Sequence, residues 1–236
     1  MTFLGAEVDG SHNGRHAFGS NEELVAEAQA LYKKDQSGPF SVHHGSLWGG
    51  FLKLPDLESY PEFQALDAET KEFLSRDTVP TYEMIGNCLL PPGIVVDKGN
   101  SYLMSIAFLM NPQSSGSITL KSKNPQDTPI IDLAYLSRPY DRRVHRESIR
   151  KTWNIVFENA ATKKHVKKQL LGPASLSDED IDAFMKDGAT TVWHANGTVK
   201  MGKKGDEGAC VDSGFRVYGV EGLRVADLSV CPLTPK

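Results

Sequence analysis

Cysteine is scarce in this sequence of 236 residues, which contains three: Cys88, Cys210 and Cys231. They are far apart, and no pair has the Cys-x-x-Cys spacing that holds zinc or supports thiol exchange. The adjacent His43 and His44 have no carboxylate at a ligand spacing, so we expect no metal site. A disulfide-stapled scaffold is also excluded, because a chain of this length can bury an ordinary hydrophobic core.

Long apolar runs and a basic excess are missing too. The most apolar segment, Tyr102 to Met110, is far shorter than the roughly 20 residues that cross a bilayer. Residues Met1 to Asp9 lack the basic and apolar regions of a signal peptide, so we expect a protein that is cytoplasmic by default, with no membrane partner. The formal charge of -4 offers no broad cationic field, so nucleic acid is not an expected partner.

Three segments carry the start signals of helices. Ser20 to Glu23 forms a capping-box pattern ahead of apolar residues at helical spacing. Pro139 is suited to the first turn of a long helix, and Ser177 to Asp180 caps a short acidic helix that ends at Gly188. The lysine-rich run Lys163 to Lys168 is interpreted as a solvated helix end.

Strand patterns lie elsewhere, and no internal repeat is present. We expect strands at Leu103 to Leu109, Ser117 to Lys121, Phe215 to Tyr218 and Leu223 to Ala226. The proline-rich stretch from Gly45 to Pro92 is expected to be loop-rich, with one helix candidate near residues 61–74. Since helices and strands do not alternate as βαβ units, the sequence indicates the α+β class.

One histidine stands out. His194 follows the apolar, strand-like pair Val192-Trp193 and precedes the turn dipeptide Asn196-Gly197. This placement fits an imidazole presented to a cavity, and it also fits a structural histidine in a hairpin. Further along, the second of two short predicted strands leads into Asp227 at its carboxyl end, a position where ligands are often bound.

Taken together, several motifs resemble the C-terminal signature of the glucose–methanol–choline (GMC) flavoprotein oxidoreductases. The resemblance covers roughly Tyr102 to Lys236. The motifs that carry it are VWHANGTVKMG at Val192–Gly202, VD at Val211–Asp212, FRVYGVEGLRVADLSVCP at Phe215–Pro232, and the upstream segments Asn111–Ser122 and Ile130–Asp141.

The resemblance implies a fold and a division of the chain. It implies an antiparallel sheet flanked by helices, as in the GMC substrate domain, joined to a partial C-terminal segment of the FAD domain, with no complete Rossmann unit. Residues 1–190 would be the substrate-domain-like region. Residues 191–236 would carry the catalytic histidine and the partial FAD-domain segment.

The resemblance also implies a chemistry. The cofactor would be FAD, and the substrate a small-molecule alcohol whose hydride passes to the flavin N5. His194 would be the catalytic acid or base, which suits imidazole because its ordinary pKa of about 6.5 allows proton exchange near neutrality. Trp193 would line the substrate pocket, although it is equally compatible with plain core packing. Asp227 and Leu228 would contact the flavin.

Two family features are missing. No Gly-x-Gly-x-x-Gly motif occurs in these 236 residues, and the sequence ends at Lys236, before the position of the family's second catalytic His or Asn. We therefore expect a GMC portion truncated at both ends, whose partner is a missing FAD-binding N-terminal part. Two alternatives stay open: a catalytically inert paralogue or fragment that acts at most as a binding protein, and a family scaffold used for non-redox lyase or cyclase chemistry.

Overall fold

The computed structural model describes residues 1–9, 22–41, 46–87, 94 and 100–233. The chain divides into two compact units. The first unit comprises Met1–Ser114 and Leu136–Thr190, and the second comprises Ser115–Tyr135 and Thr191–Lys236. Segment 115–135 therefore belongs with the C-terminal residues rather than with its neighbours in sequence.

The first unit is built on a five-stranded antiparallel sheet. Its strands, in chain order, are β1 Thr2–Val8, β2 Ser46–Leu52, β3 Tyr82–Asn87, β4 Ser101–Leu109 and, last in the chain, β7 Val166–Leu171. Their order across the sheet is β2-β3-β4-β1-β7. The central strand β4 includes the predicted strand at 103–109, and the α+β class with an antiparallel sheet is confirmed.

Six α-helices accompany this sheet in the described part of the first unit. They are α1 Glu22–Asp35, α2 Pro61–Gln64, α3 Ala68–Ser75, α4 Pro139–Trp153, α5 Ala160–Lys163 and α6 Asp178–Gly188. A π-helical turn, Asn154–Glu158, follows α4. Within the described ranges, no helix is both long enough and apolar enough to cross a membrane.

The helix predictions are confirmed at the two ends that carry local signals. Helix α4 begins with Pro139 at its first position. Ser177 caps α6 and accepts the backbone N–H of Asp180 at 3.2 Å. Helix α1 is also present, but Ser20 of its predicted capping box lies outside the described residues.

Helices α4 and α6 cover one face of the sheet. Ile149 of α4 and Ile181 of α6 are fully buried with Leu4 of β1 and Ala107 of β4. A second cluster places Tyr140 and other residues of α4 against the segment that carries α2 and α3. Helix α4 thus contributes buried residues to both clusters. The free energy gained by burying these side chains outweighs the weak helix propensity of several residues of α4.

The loop-rich prediction for 45–92 is wrong over much of the described part of that range. Strands β2 and β3 pair with each other there, and β3 also pairs with β4. The helix candidate at 61–74 is two helices, α2 and α3, separated by the Asp67 cap. The adjacent Gly49 and Gly50 weaken the local strand pattern of β2, which forms because β3 offers a pairing partner.

The solvated helix end expected at Lys163 to Lys168 is also wrong in its second half. Helix α5 ends at Lys163, and β7 begins at Val166 and pairs with β1. Val8 opposes Val166 and Glu7 opposes Lys168 in this pairing. The edge of β1 supplies backbone partners that the lysine-rich sequence does not reveal.

The second unit contains little regular structure. Strands β5 Ser117–Thr119 and β6 Ile130–Asp132 form a two-stranded hairpin in which every residue is exposed. The predicted strand at 117–121 is thus confirmed over its first three residues. The strands expected at 215–218 and 223–226 are reduced to isolated bridges, Val211 with Val217 and Arg216 with Arg224.

Candidate functional site

The histidine segment of the second unit is irregular backbone at the surface. The strand-like pair expected at Val192-Trp193 is wrong, since Trp193 has a left-handed φ of 59° and its N–H donates to Thr191 Oγ1 at 2.9 Å. A bulky residue rarely adopts this conformation. The Trp193 side chain is 77% exposed, and His194 is exposed beside it. The imidazole is therefore accessible within this unit.

The Asp227 segment forms a tight turn. Asp227 caps a short 3-10 helix, Leu228–Val230, and its carboxylate accepts the hydroxyl of Ser229 at 2.5 Å and the N–H of Ser229 at 2.9 Å. These two hydrogen bonds, the hydroxyl first, lower the pKa of Asp227 below its ordinary value. The turn thus presents an oriented, charged carboxylate next to Leu228.

Backbone hydrogen bonds bring these two segments together. Val199 donates its N–H to Ser229 O at 3.0 Å, and Met201 donates to Val230 O at 2.9 Å. Val199 lies five residues after His194, and Ser229 lies two residues after Asp227. These hydrogen bonds therefore join the two segments that carry the residues predicted to face substrate and cofactor.

A glycine occupies the turn after His194. Gly197 has a left-handed φ of 74°, whereas a Cβ at this position would make only ordinary van der Waals contact with Cys231 O, at 3.5 Å. A side chain here would strain the backbone that carries His194 toward Val199. The Asn196-Gly197 dipeptide predicts a turn and accounts for the left-handed glycine, but it does not predict that Cys231 lies nearby.

A third segment supports this pairing from the other side. Lys200 O accepts the N–H of Cys210 at 2.7 Å, and Tyr218 OH donates to Gly202 O at 2.8 Å. Asp212 accepts the N–H groups of Arg216 and Gly214, and these bonds, that of Arg216 first, lower its pKa. The Val211–Asp212 motif therefore has a structural role. Tyr218, which lies in the Phe215–Pro232 motif, has one as well, and no local pattern predicts it.

The site offers few groups that could hold a cofactor. The Asp227 carboxylate binds Ser229, and Leu228 follows it as the first residue of the 3-10 helix. Among the described residues, no three His, Cys, Asp or Glu side chains cluster as a metal would require. His43, His44 and Cys88 lie outside the described residues.

Comparisons with known proteins give a consistent family. A profile described as GMC oxidoreductase matches residues 112–236. The chain is 33% identical to the glucose methanol choline oxidoreductase atC of Aspergillus terreus over 90% of its own length and 34% of that protein. It is 36% identical to an alcohol dehydrogenase [acceptor] of Pseudomonas putida over 78% of the chain and 30% of that protein.

An oxygen-dependent choline dehydrogenase of Rhizobium rhizogenes is 40% identical over 59% of this chain and 25% of its own length. The chain thus spans about a third or less of these curated relatives.

Solved structures share the fold. A formate oxidase variant of Aspergillus oryzae superposes with a TM-score of 0.82 at 24% identity, over 99% of this chain and 42% of that one. An FAD-dependent oxidoreductase from Chaetomium thermophilum gives a TM-score of 0.71 at 23% identity, over 98% and 43% of the two chains. Since the family profile also covers more than half of the sequence, the chain belongs to the GMC oxidoreductase family.

Proposed function

We propose that this chain supplies the substrate-domain and C-terminal portion of an FAD-dependent oxidoreductase that acts on CH–OH donors. The observation that carries the proposal is the pairing of the His194 segment with the Asp227 turn in a member of the GMC family. Relatives named alcohol dehydrogenase and choline dehydrogenase support an alcohol as substrate. In this proposal, residues 1–190 are the substrate-domain-like region, and 191–236 the catalytic and partial FAD-domain segment.

In this proposal, Asp227 and Leu228 hold one side of the FAD molecule. The Asp227 carboxylate is an acceptor for a flavin-chain hydroxyl, and the neighbouring Leu228 N–H is a donor. Neither group forms a diphosphate cradle, and the 236 residues contain no Gly-x-Gly-x-x-Gly motif. The rest of the cofactor would be held by an FAD-binding N-terminal part, which we propose as the partner of this chain.

The chemistry divides between cofactor and protein. When bound, the flavin supplies the acceptor for the hydride that leaves the carbinol carbon. His194 takes the proton of the substrate hydroxyl at a ring nitrogen, so that the carbonyl can form. Trp193, exposed next to it, forms an apolar wall for the carbon skeleton of the alcohol, and Asp227 fixes the turn that meets the flavin.

Co-expression with a flavin-binding partner tests this proposal. This chain is produced with the part of the Pseudomonas putida alcohol dehydrogenase that it does not match, and flavin content and anaerobic flavin reduction by alcohols are measured. We expect one bound flavin and alcohol-dependent reduction. Replacing His194 by Ala should slow reduction by about 10²–10⁴-fold while leaving flavin content unchanged, as for a positioned acid or base.

His165 provides the matched control, because it is also exposed but lies on the first unit. In the complex that contains His165→Ala, alcohols should reduce the flavin at the same rate as in the complex of the unchanged chain. Equal reduction rates for His194→Ala and the unchanged chain would remove His194 from the mechanism.

A binding protein without catalysis is the second candidate. It is favoured by the apolar side chains that the second unit exposes, such as Leu120 at 84% and Trp193 at 77%. A complex that forms with the flavin-binding part, contains flavin and yet shows no reduction by any alcohol would support this candidate against the first.

A further inference from the structure

The β5–β6 hairpin has little support of its own. Both strands are exposed along their whole length, and the pairing consists of three opposed residue pairs. An isolated two-stranded hairpin is marginally stable in water. The points where its two ends leave the first unit, after Ser114 and before Leu136, therefore offer a second source of support beside the C-terminal residues of its own unit.

A buried carboxylate holds the outgoing end. Asp141, in the first turn of α4, is fully buried and accepts the N–H of Gln113 at 2.7 Å and the N–H of Ser114 at 2.6 Å. Each carboxylate oxygen thus binds one of two consecutive backbone donors. Charge-assisted bonds of this kind are stronger than neutral ones, and a carboxylate near a helix N-terminus is further stabilised by the helix dipole.

The returning end is fixed by the same helix turn. The N–H of Arg138 donates to Ser114 Oγ at 3.0 Å, which joins the returning end to the outgoing one. Arg142, next to Asp141, donates from Nη1 to Leu136 O at 2.7 Å and to Ser137 O at 3.0 Å. Both ends of segment 115–135 therefore meet at residues 141 and 142.

Two residues at the returning end have left-handed backbone. Ala134 has a φ of 46° and Leu136 a φ of 54°. Residues other than glycine persist in this region only where the surroundings hold them. The contacts of Arg142 with Leu136 O and Ser137 O supply such a hold.

We infer that Asp141 is a positioning residue that, with Arg142, ties the two ends of segment 115–135 together and thereby keeps the β5–β6 hairpin paired. The inference is independent of the flavin chemistry proposed above. It assigns a purpose to a buried carboxylate that the proposed mechanism does not use.

Amide hydrogen exchange on the full chain tests this role. In Asp141→Asn, an amide NH₂ group replaces one of the two carboxylate oxygens and faces a backbone N–H, so one hydrogen bond is lost. The amides of the hairpin should then exchange about 10- to 100-fold faster, relative to the amides of β1 and β4. Arg142→Gln should raise the same ratio in the same direction. The ratio isolates hairpin opening, because global destabilisation accelerates exchange in the hairpin and in the core alike.

Arg146→Gln is the matched control, since Arg146 lies one turn further along α4 and pairs with Asp178 and Asp182 of α6. It should leave the hairpin-to-core ratio unchanged. A ratio within about twofold of the unchanged chain in both Asp141→Asn and Arg142→Gln would overturn the inference, as would an equal rise in Arg146→Gln. If Asp141→Asn does not fold, Arg142→Gln decides alone, because its side chain is only partly buried.

Discussion

At the scale of single residues, His145 shows how the core of the first unit holds a titratable group uncharged. Its side chain is 1% exposed, with Nε2 at 3.4 Å from Thr2 Oγ1 and Nδ1 at 3.2 Å from Ser148 Oγ. Burial, and secondarily the nearby amino-terminal charge, lower the pKa of His145 to about 3. The hydroxyl partners match a neutral imidazole, which needs one donor and one acceptor.

This burial predicts a loss of stability in acid. The folded-state pKa lies below the unfolded value of about 6.5, so on acidification the unfolded chain binds the proton first. The contribution of His145 to the unfolding free energy is unaffected above about pH 6.5. Below it, stability should fall by up to about 1.4 kcal/mol for each pH unit until about pH 3.

Urea denaturation between pH 4 and 8 measures this slope in the unchanged chain and in His145→Gln, which should show a flatter curve below pH 6.5. Burial also lowers the pKa of the Met1 amine to about 6, and this group is coupled to His145, so the slopes are compared between pH 4 and 6, where the amine is mostly protonated in both proteins. His165→Gln, at an exposed position, should retain the original slope. Parallel curves for the unchanged chain and His145→Gln would show that this histidine is not held neutral.

At the scale of elements, α4 and α6 are joined by a charged contact as well as by their apolar faces. Arg146 pairs with Asp178 and Asp182, and Arg150 pairs with Asp178 and with Glu147. The hydrogen bond to Arg150 is the main cause that holds the pKa of Asp178 below its ordinary value. These pairs are partly exposed and contribute modestly to stability, so the start of α6 depends mainly on its cap and its buried face.

The cap of α6 gives a second prediction. Ser177→Ala leaves the N–H of Asp180 without its side-chain acceptor and should lower the unfolding free energy by about 1 kcal/mol. Ser177→Asn preserves an acceptor at this position and should lose much less. Urea midpoints of the three proteins provide the comparison, and equal losses for Ala and Asn would mean that the hydrogen bond of the cap is not what stabilises the helix start.

The sequence predicts the elements whose signals are local and misses those that depend on distant pairing partners. The starts of α4 and α6 are written in adjacent residues, Pro139 and Ser177, so local chemistry identifies them. Strands β2 and β7 depend on partners distant in the sequence, and their glycine-rich or lysine-rich composition hides them. In the candidate site, motifs single out the segments of His194 and Asp227, but no local pattern contains the hydrogen bond between Val199 and Ser229 that joins these segments.

At the scale of the whole molecule, the two units differ in how much apolar surface they bury. Val211 and Val230 are the buried hydrophobic residues in the described part of the second unit. Its exposed large hydrophobic residues are more numerous: Ile118, Leu120, Ile130, Ile131, Leu133, Tyr135, Trp193, Phe215, Val220, Leu223 and Leu233. Such a surface is typical of a region that another polypeptide covers, which agrees with the flavin-binding partner proposed above.

The chain on its own should therefore self-associate through the second unit. Sedimentation velocity over a range of concentrations should show a rising sedimentation coefficient, and replacing both Leu120 and Ile131 by Lys should reduce that rise by adding charge to the apolar surface. Leu31→Lys changes an exposed apolar residue of α1 in the first unit and should leave association unchanged. Thermal unfolding of the first unit should be similar in all three proteins, because none of the changed residues belongs to its core.

A chain that stays monomeric at every concentration, or one that associates equally after the Leu120 and Ile131 changes, would show that this surface does not drive association and would weaken the case for a covering partner.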